Sequence, residues 1–226
     1  MSLPDRILYR PTPKRIRALV ARANVDISAA DRDEMAIPSY LHDNSLIRWL
    51  MWRRYEVIAE LANFSGSQHA LEFGCGLGLF LPTLAGHCRE VSAVELFPAY
   101  AQELCRQMNL KVGFLDAITQ LPEQSLDLIV AADVLEHVEP LEDFLRQFHA
   151  RLKPGGRLVV SGPTENLAYK LGRVLAGFAG KGGYHHTNIS RINAALQNTG
   201  FDLVENRQLP FSCLPALFKV SSFARH

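Results

Sequence analysis

Between residues 71 and 78 the chain reads Leu-Glu-Phe-Gly-Cys-Gly-Leu-Gly, so Gly74, Gly76 and Gly78 alternate between a short apolar run and an amphipathic stretch. Without a Cβ, such a turn can carry a strand sharply into a helix and let the backbone approach a ligand closely. A nucleotide-like group is the ligand class it suits. Glu95 ends the next apolar run, where a carboxylate can accept from both hydroxyls of a ribose. Dinucleotide-binding turns share this pairing but space their glycines Gly-x-Gly-x-x-Gly. Here that pattern would need a glycine where Leu79 stands, and an acid, Glu72, lies two residues before the first glycine. Glycines also serve helix entry by themselves, and Cys75 reads as a small packed residue rather than a nucleophile.

A second group of reactive side chains is Asp133, Glu136 and His137. If that stretch is helical, the i, i+3, i+4 spacing puts all three on one face. Three roles compete: capping and packing, general-base catalysis by His137 on a hydroxyl acceptor, and a divalent metal held by two carboxylates and an imidazole. The expectation carried forward has no metal. A third group, Tyr184-His185-His186-Thr187, falls in a loop after a strand, where the ligand crevice of an open α/β sheet lies. His186 is the second candidate base, against a plain reading as an exposed or helix-capping loop histidine.

The elements that must position these residues alternate. Strands are expected at Ala70–Phe73, Val91–Glu95, Lys111–Leu115, Leu126–Ala131 and Arg157–Ser161. Helices are expected after the glycine turn to about Gly86, at Pro98–Met108 and at Leu141–Leu152, ending at Lys153-Pro154-Gly155-Gly156. Such βαβ succession predicts a parallel sheet with helical crossovers. Further on, helices are expected at Glu165–Phe178 and Ile189–Asn198, around a glycine- and histidine-rich loop at Ala179–Thr187. Phe201–Asn206 and Leu217–Ala224 read as an antiparallel strand pair at the sheet edge.

Residues 1–65 differ: Pro4, Pro11, Pro13 and Pro38 break them into short pieces before one apolar-rich helix from about Ser45 to Leu61. They are expected to form a helical extension or lid, with residues 66–226 as the ligand-binding domain. With Trp49, Trp52 and Tyr55 beside Arg48, Arg53 and Arg54, that helix could cover the ligand, meet an apolar acceptor or rest on a membrane surface. The apolar connection Leu209–Phe218 adds to the membrane option, while together these pieces favour a lid over an exposed patch.

With 24 Lys+Arg against 23 Asp+Glu the chain has no electrostatic footprint for a polyanion, so no nucleic-acid partner is expected. Cys75, Cys88, Cys105 and Cys213 form no Cys-x-x-Cys pair, which argues against a zinc knuckle or disulfide framework. With no apolar run of signal-peptide or membrane-span length, a cytoplasmic setting is expected, with membrane association left open. The oligomeric state is not legible.

From about Ala70 to Asp202 the chain resembles the class I S-adenosylmethionine-dependent methyltransferases, in particular their small-molecule and quinone branch. The carrying residues are Glu72 with Gly74, Gly76 and Gly78, then Glu95, then Phe114-Leu115-Asp116-Ala117. Asp127-Leu128-Ile129-Val130-Ala131-Ala132-Asp133-Val134-Leu135-Glu136-His137-Val138 and Leu152-Lys153-Pro154-Gly155-Gly156 complete the series. The resemblance implies a Rossmann-like α/β fold with helices on both faces of a seven-stranded, mostly parallel sheet, ordered 3-2-1-4-5-7-6 with strand seven antiparallel. It implies S-adenosylmethionine as cofactor, S-adenosylhomocysteine as product and a small-molecule or lipid-like methyl acceptor. The cofactor-contacting residues it implies are Glu72, Gly74, Cys75, Gly76, Gly78, Glu95, Leu96, Asp116, Ala117, Ala132 and Asp133, with His137 and His186 as candidate bases. Two alternatives stay open: a nicotinamide-dependent oxidoreductase on the same sheet, and a protein that holds the cofactor without turnover.

Overall fold

The computed structural model describes residues 8–23, 25, 28, 36–175, 187–211 and 215–226. Three helices come first: α1 (Pro13–Ala23), α2 (Ile37–Leu41) and α3 (Ser45–Ala62). Asn44 starts α3 by accepting the amide of Leu46 at 2.9 Å, and Asn63 ends it in the left-handed region. Then follow β1 (His69–Phe73), α4 (Leu81–His87), β2 (Glu90–Val94), α5 (Ala99–Met108) and β3 (Gly113–Leu115). The chain continues through β4 (Leu126–Ala132), a 3-10 turn at Leu135–His137, α6 (Leu141–Arg151) and β5 (Leu152–Pro163). It ends with α7 (Leu167–Leu175), α8 (Ile189–Asn198), β6 (Phe201–Leu209) and β7 (Phe218–Arg225).

The seven strands form one sheet in the order β3-β2-β1-β4-β5-β7-β6. All pairings are parallel except those of β7 with β5 and β6. The topology, including the late antiparallel pair, is the expected one. Its central strand β1 and most of β4 and β5 are buried on both faces, and their period-two alternation divides the core. Ala70, Leu128, Val130 and Val159 belong to one apolar cluster, while Leu71, Phe73, Ile129, Ala131, Leu158 and Val160 belong to the other. The first cluster holds residues of α1 to α5, the second those of α6 and α8. Thus Ile16, Tyr40 and Ile58 of the first three helices share a core with the sheet. Helix α3 lies across β4, β5, β7 and β6, and α1 leans on α5.

Several boundaries differ from the sequence expectation. Strand β5 begins at Leu152, because that residue already pairs with Leu126 and the Lys153-Pro154-Gly155-Gly156 stretch is taken up as a bulge before Leu128 pairs with Arg157. Helix α7 starts at Leu167 rather than Glu165: Glu165 sits at φ 53, outside helical space, and the Asn166 side chain accepts the amide of Tyr169 at 2.8 Å. The expected third strand shrinks to Gly113–Leu115, the sixth lengthens to Phe201–Leu209, and the last shifts by one residue to Phe218–Arg225. Residues 176–178 of the expected helix, and the Tyr184-His185-His186 loop, lie outside the described residues.

Candidate functional site

The sheet registers explain how residues remote in sequence become neighbours. Phe73 pairs with Val94 on one side and Ala131 on the other, and Val94 pairs with Leu115. One step further along each strand stand Asp116, Glu95, Gly74 and Ala132, a row across the carboxyl ends of β3, β2, β1 and β4. At a strand spacing of about 4.8 Å the row spans roughly 14 Å. Strand order reverses at β1, with β2 to one side and β4 to the other, and in open α/β sheets that switch point opens the crevice.

The three glycines of the turn do different work. All have positive φ, 72°, 52° and 72° for Gly74, Gly76 and Gly78. A Cβ on Gly74 would fall 2.3 Å from a methyl of Val134, and one on Gly78 would fall 2.8–2.9 Å from Ala101, so these two are glycine because the chain packs there. A Cβ on Gly76 would meet nothing within 4 Å. Only Gly76 turns its bare face toward open space. Its amide donates to Glu95 Oε2 at 2.7 Å, while Glu95 Oε1 accepts from Phe97 at 3.1 Å, so the expected acid is drawn onto the turn.

Glu72 is 1 % exposed, and neither of its oxygens has a hydrogen-bond partner among the described residues. Burial, with Glu95 adding to it, pushes its carboxyl well above the usual carboxylate range. Burial and the same two carboxylates raise the Cys75 thiol as well, which leaves it a packed, unreactive residue. On the other side of the row, Leu96 is 89 % exposed at the strand end. Asp116 is exposed and joined to Gln120, whose side chain accepts the Asp116 amide at 3.1 Å and donates to the carboxylate at 3.4 Å. Ala117 follows in extended conformation, and Ala132 is half-buried at the end of β4.

Asp133, Glu136 and His137 do not share a helix face. Asp133 sits at φ 51, before the 3-10 turn that contains the other two. The reason is tertiary. Its Oδ2 meets the guanidinium of Arg54, its Oδ1 accepts from Ser161 Oγ at 2.8 Å, and its amide donates to the Ser161 carbonyl at 3.0 Å. Glu136 points inward at 1 % exposure, its Oε2 without a hydrogen-bond partner among the described residues, and burial pushes its carboxyl up to about 7. His137 is half-buried. No three His, Cys, Asp or Glu side chains among the described residues converge as a metal site. His186, the second candidate base, lies outside the described residues.

Arg54 was not among the expected site residues. It is 4 % exposed, stacks over Phe218 with its Cζ 5.0 Å from the ring centre, and reaches the Tyr40 hydroxyl at 3.5 Å. A signal existed: Ile47, Met51, Arg54, Ile58 and Leu61 fall on one helical row, so a cation stands amid the apolar face of α3. Such a cation demands an acid elsewhere, and no spacing rule names which one.

Comparison with known proteins identifies the family. The family model described as a methyltransferase domain matches residues 40–206. The chain belongs to the class I S-adenosylmethionine-dependent methyltransferase family. Among its relatives, the mitochondrial ubiquinone biosynthesis O-methyltransferase of Schizosaccharomyces pombe is 34% identical over 125 residues, which cover 51% of this chain and 45% of that protein. The ubiquinone biosynthesis O-methyltransferase of Rickettsia canadensis is 26% identical over 164 residues, covering 67% of this chain and 70% of that one. In fold the methyltransferase matches the N-methyltransferase NodS from Bradyrhizobium japonicum WM9, solved with S-adenosylhomocysteine, at TM-score 0.63 and 22% identity over 95% of this chain and 99% of that one. Nothing in these comparisons supports the nicotinamide alternative. The methyltransferase's own residues fit its cofactor: an open cradle at Gly76, acids at two strand ends, an exposed leucine beside them and a buried carboxylate with both oxygens unpartnered.

Proposed function

We propose that this methyltransferase moves the methyl group of S-adenosylmethionine to a hydroxyl on a small, largely apolar acceptor. The observation that carries the reading is the row Asp116, Glu95, Gly74, Ala132, with the open face of Gly76 beside it. When bound, the cofactor supplies a methyl made electrophilic by its sulfonium, so the protein mainly has to orient the partners and exclude water. In this reading Glu95 holds the ribose and Asp116 with Ala117 the adenine edge, while Leu96 covers the base. Gly74, Cys75, Gly76 and Gly78 form the cradle, with Ala132 and Asp133 at its methyl-donating end. The described helices α1 to α3 act as the lid expected of the N-terminal extension, with α3 roofing the methionine end of the site.

Support for an apolar acceptor comes from the surface around the carboxyl edge of the sheet. Tyr169 of α7 packs on Phe218, and Phe211 on Trp49. Leu167, Leu171 and Val174 of α7 stay exposed at i, i+4, i+7, with Phe211 and Leu46. The ubiquinone biosynthesis O-methyltransferases among its relatives act in the synthesis of a quinone, and an amphipathic ring compound is the acceptor class we carry over. The same exposed stripe beside Lys170 suits contact with a lipid surface, although no described helix is long and apolar enough to cross a membrane. His137, in the 3-10 turn that follows β4, is the base we assign to the acceptor hydroxyl, with His186 second.

The test is transfer of tritiated methyl from S-adenosylmethionine in extracts of quinone-producing cells. Label entering a solvent-extractable product, with His137→Ala slowing transfer about a hundredfold at unchanged S-adenosylhomocysteine affinity, is the expected result. Label that stays on the cofactor in every extract overturns the reading.

A further inference from the structure

We propose that Phe218 is a specificity-determining residue: it presents the acceptor with an aromatic surface beside the methyl-donating end of the site and selects a flat aromatic ring over a saturated one. This inference rests on the reading of a hydroxyl acceptor at the carboxyl edge of the sheet and adds the residue that reads its ring.

The backbone decides where the Phe218 ring stands. Phe218 opens β7, opposite Pro163 of β5 and Leu209 of β6. Leu209 and Val220 belong to the first apolar cluster, so Phe218 turns to the same face of the sheet, the one that α3 covers. Leu209 and Val220 are buried, whereas Phe218 stays half-buried. Position explains the difference. Ser161 pairs with Ala132 at the end of β4, and Pro163 lies two residues beyond it, so Phe218 stands at the carboxyl edge where Asp133 leaves the sheet.

Two neighbours fix the ring and tie it to that edge. The Arg54 guanidinium lies over it, 5.0 Å from its centre, and the same guanidinium is paired with the Asp133 carboxylate. Phe218 is therefore one side chain removed from Asp133, the residue that the reading places at the methyl-donating end. Tyr169 of α7 meets the ring at 87°, with centres 5.5 Å apart. Tyr169 is held in turn: the Asn166 side chain accepts its amide at 2.8 Å and donates to the Ala216 carbonyl at 2.7 Å. Thr164 Oγ1 donates to that carbonyl as well, at 2.7 Å. The start of α7 and the entry to β7 thus form one unit, and the aromatic pair is preorganised.

A second aromatic pair flanks the first. Trp49 of α3 and Phe211 have ring centres 5.7 Å apart, and Phe211 lies in the connection that leads to Phe218. The two ends of that connection are joined by the Leu217 amide, which donates to the Leu209 carbonyl at 2.7 Å.

A purely aliphatic wall would take any apolar acceptor, because the gain follows the area removed from water. A fixed aromatic ring adds a geometric preference, since its negative face and positive edge favour an offset or edge-to-face partner ring. Arg54 covers one face of Phe218 and leaves the acceptor the part of the ring still open at the sheet edge. That preference separates a flat ring from a puckered one of the same size and polarity.

The experiment is equilibrium dialysis on the full chain saturated with S-adenosylhomocysteine. The probes are 2-naphthol and 2-decalol, which share a hydroxyl and a fused two-ring frame but differ in aromaticity. Phe218→Leu keeps an apolar side chain at the half-buried position. It is expected to weaken 2-naphthol by about fivefold and 2-decalol by less than about twofold. Phe218→Tyr keeps the aromatic surface and should stay within about twofold of the unaltered protein for both probes. S-adenosylhomocysteine affinity within about twofold in both variants shows that they are folded with the cofactor site intact. Equal weakening of the two probes by Phe218→Leu overturns the inference, by making Phe218 a plain apolar wall, and so does the lack of saturable 2-naphthol binding. Methyl transfer in extracts that Phe218→Leu leaves unslowed also overturns it, while the reading of the reaction stands. Absence of transfer by the unaltered protein is the separate outcome in which the reading of the reaction falls, and this inference with it.

Discussion

The Arg54 guanidinium and the Asp133 carboxylate form a buried ion pair that ties helix α3 to the carboxyl end of β4. Asp133 is held there at φ 51 by this partner and by Ser161, and the chain then bends into the turn that carries Glu136 and His137. The first helices are thereby coupled to the reactive edge of the sheet.

Removing one member leaves the other charge buried without a partner. Arg54→Met is expected to cost about 3–5 kcal/mol in urea unfolding. Asp133→Asn in that background should recover a substantial part, since asparagine accepts the left-handed conformation and carries no charge. Additive losses in the double variant would show that the pair is not coupled.

The glycines should separate by substitution to alanine. Gly76→Ala places a methyl in open space at φ 52, costing about 1–2 kcal/mol of backbone strain while blocking the ligand's approach. A native circular-dichroism spectrum with S-adenosylhomocysteine affinity down by at least about tenfold is expected. Gly74→Ala drives a Cβ into Val134 and should lower the melting temperature more than Gly76→Ala does. The reverse ranking would remove Gly76 from the ligand-facing position.

Glu136 gives a pH signature. Burial raises its folded value to about 7 from 4.5, so the folded protein holds the proton more tightly than the unfolded chain. Its contribution is fully present below about 4.5 and is lost as pH rises through about 7. The stability gap between Glu136→Gln and the unaltered protein should widen in favour of the variant by roughly 3 kcal/mol from pH 4.5 to pH 8. Urea midpoints at the two pH values measure this, and a constant gap would contradict it.

The exposed stripe of α7 should bind lipid. Leu167→Glu with Leu171→Glu is expected to abolish co-sedimentation with vesicles of anionic phospholipid, with the melting temperature unchanged because both side chains are exposed. Equal sedimentation of the variant would remove α7 from the contact.

Much of the fold was legible because local rules and global architecture agree in this chain. Apolar runs of strand length alternate with amphipathic stretches from Ala70 on, and glycines stand where the chain must turn back. Boundaries governed by cross-strand pairing, such as the start of β5 at Leu152, or by local capping, such as the start of α7 at Leu167, escaped. The row Asp116, Glu95, Gly74, Ala132 could be anticipated because each residue ends a strand, and strand ends line up once the sheet order is known.

The sequence by itself determined the strand ends, the bare turn and the acids beside it, since these depend on residue type and short-range periodicity. Tertiary structure decided which glycine of the turn keeps an open face, that Asp133 is claimed by Arg54, and that Glu72 and Glu136 are buried with oxygens lacking partners among the described residues. Each of those outcomes depends on which distant side chain arrives at a given point and on how much water is excluded there. Burial and pairing of charges are properties of three-dimensional surroundings, and no spacing along the chain encodes them.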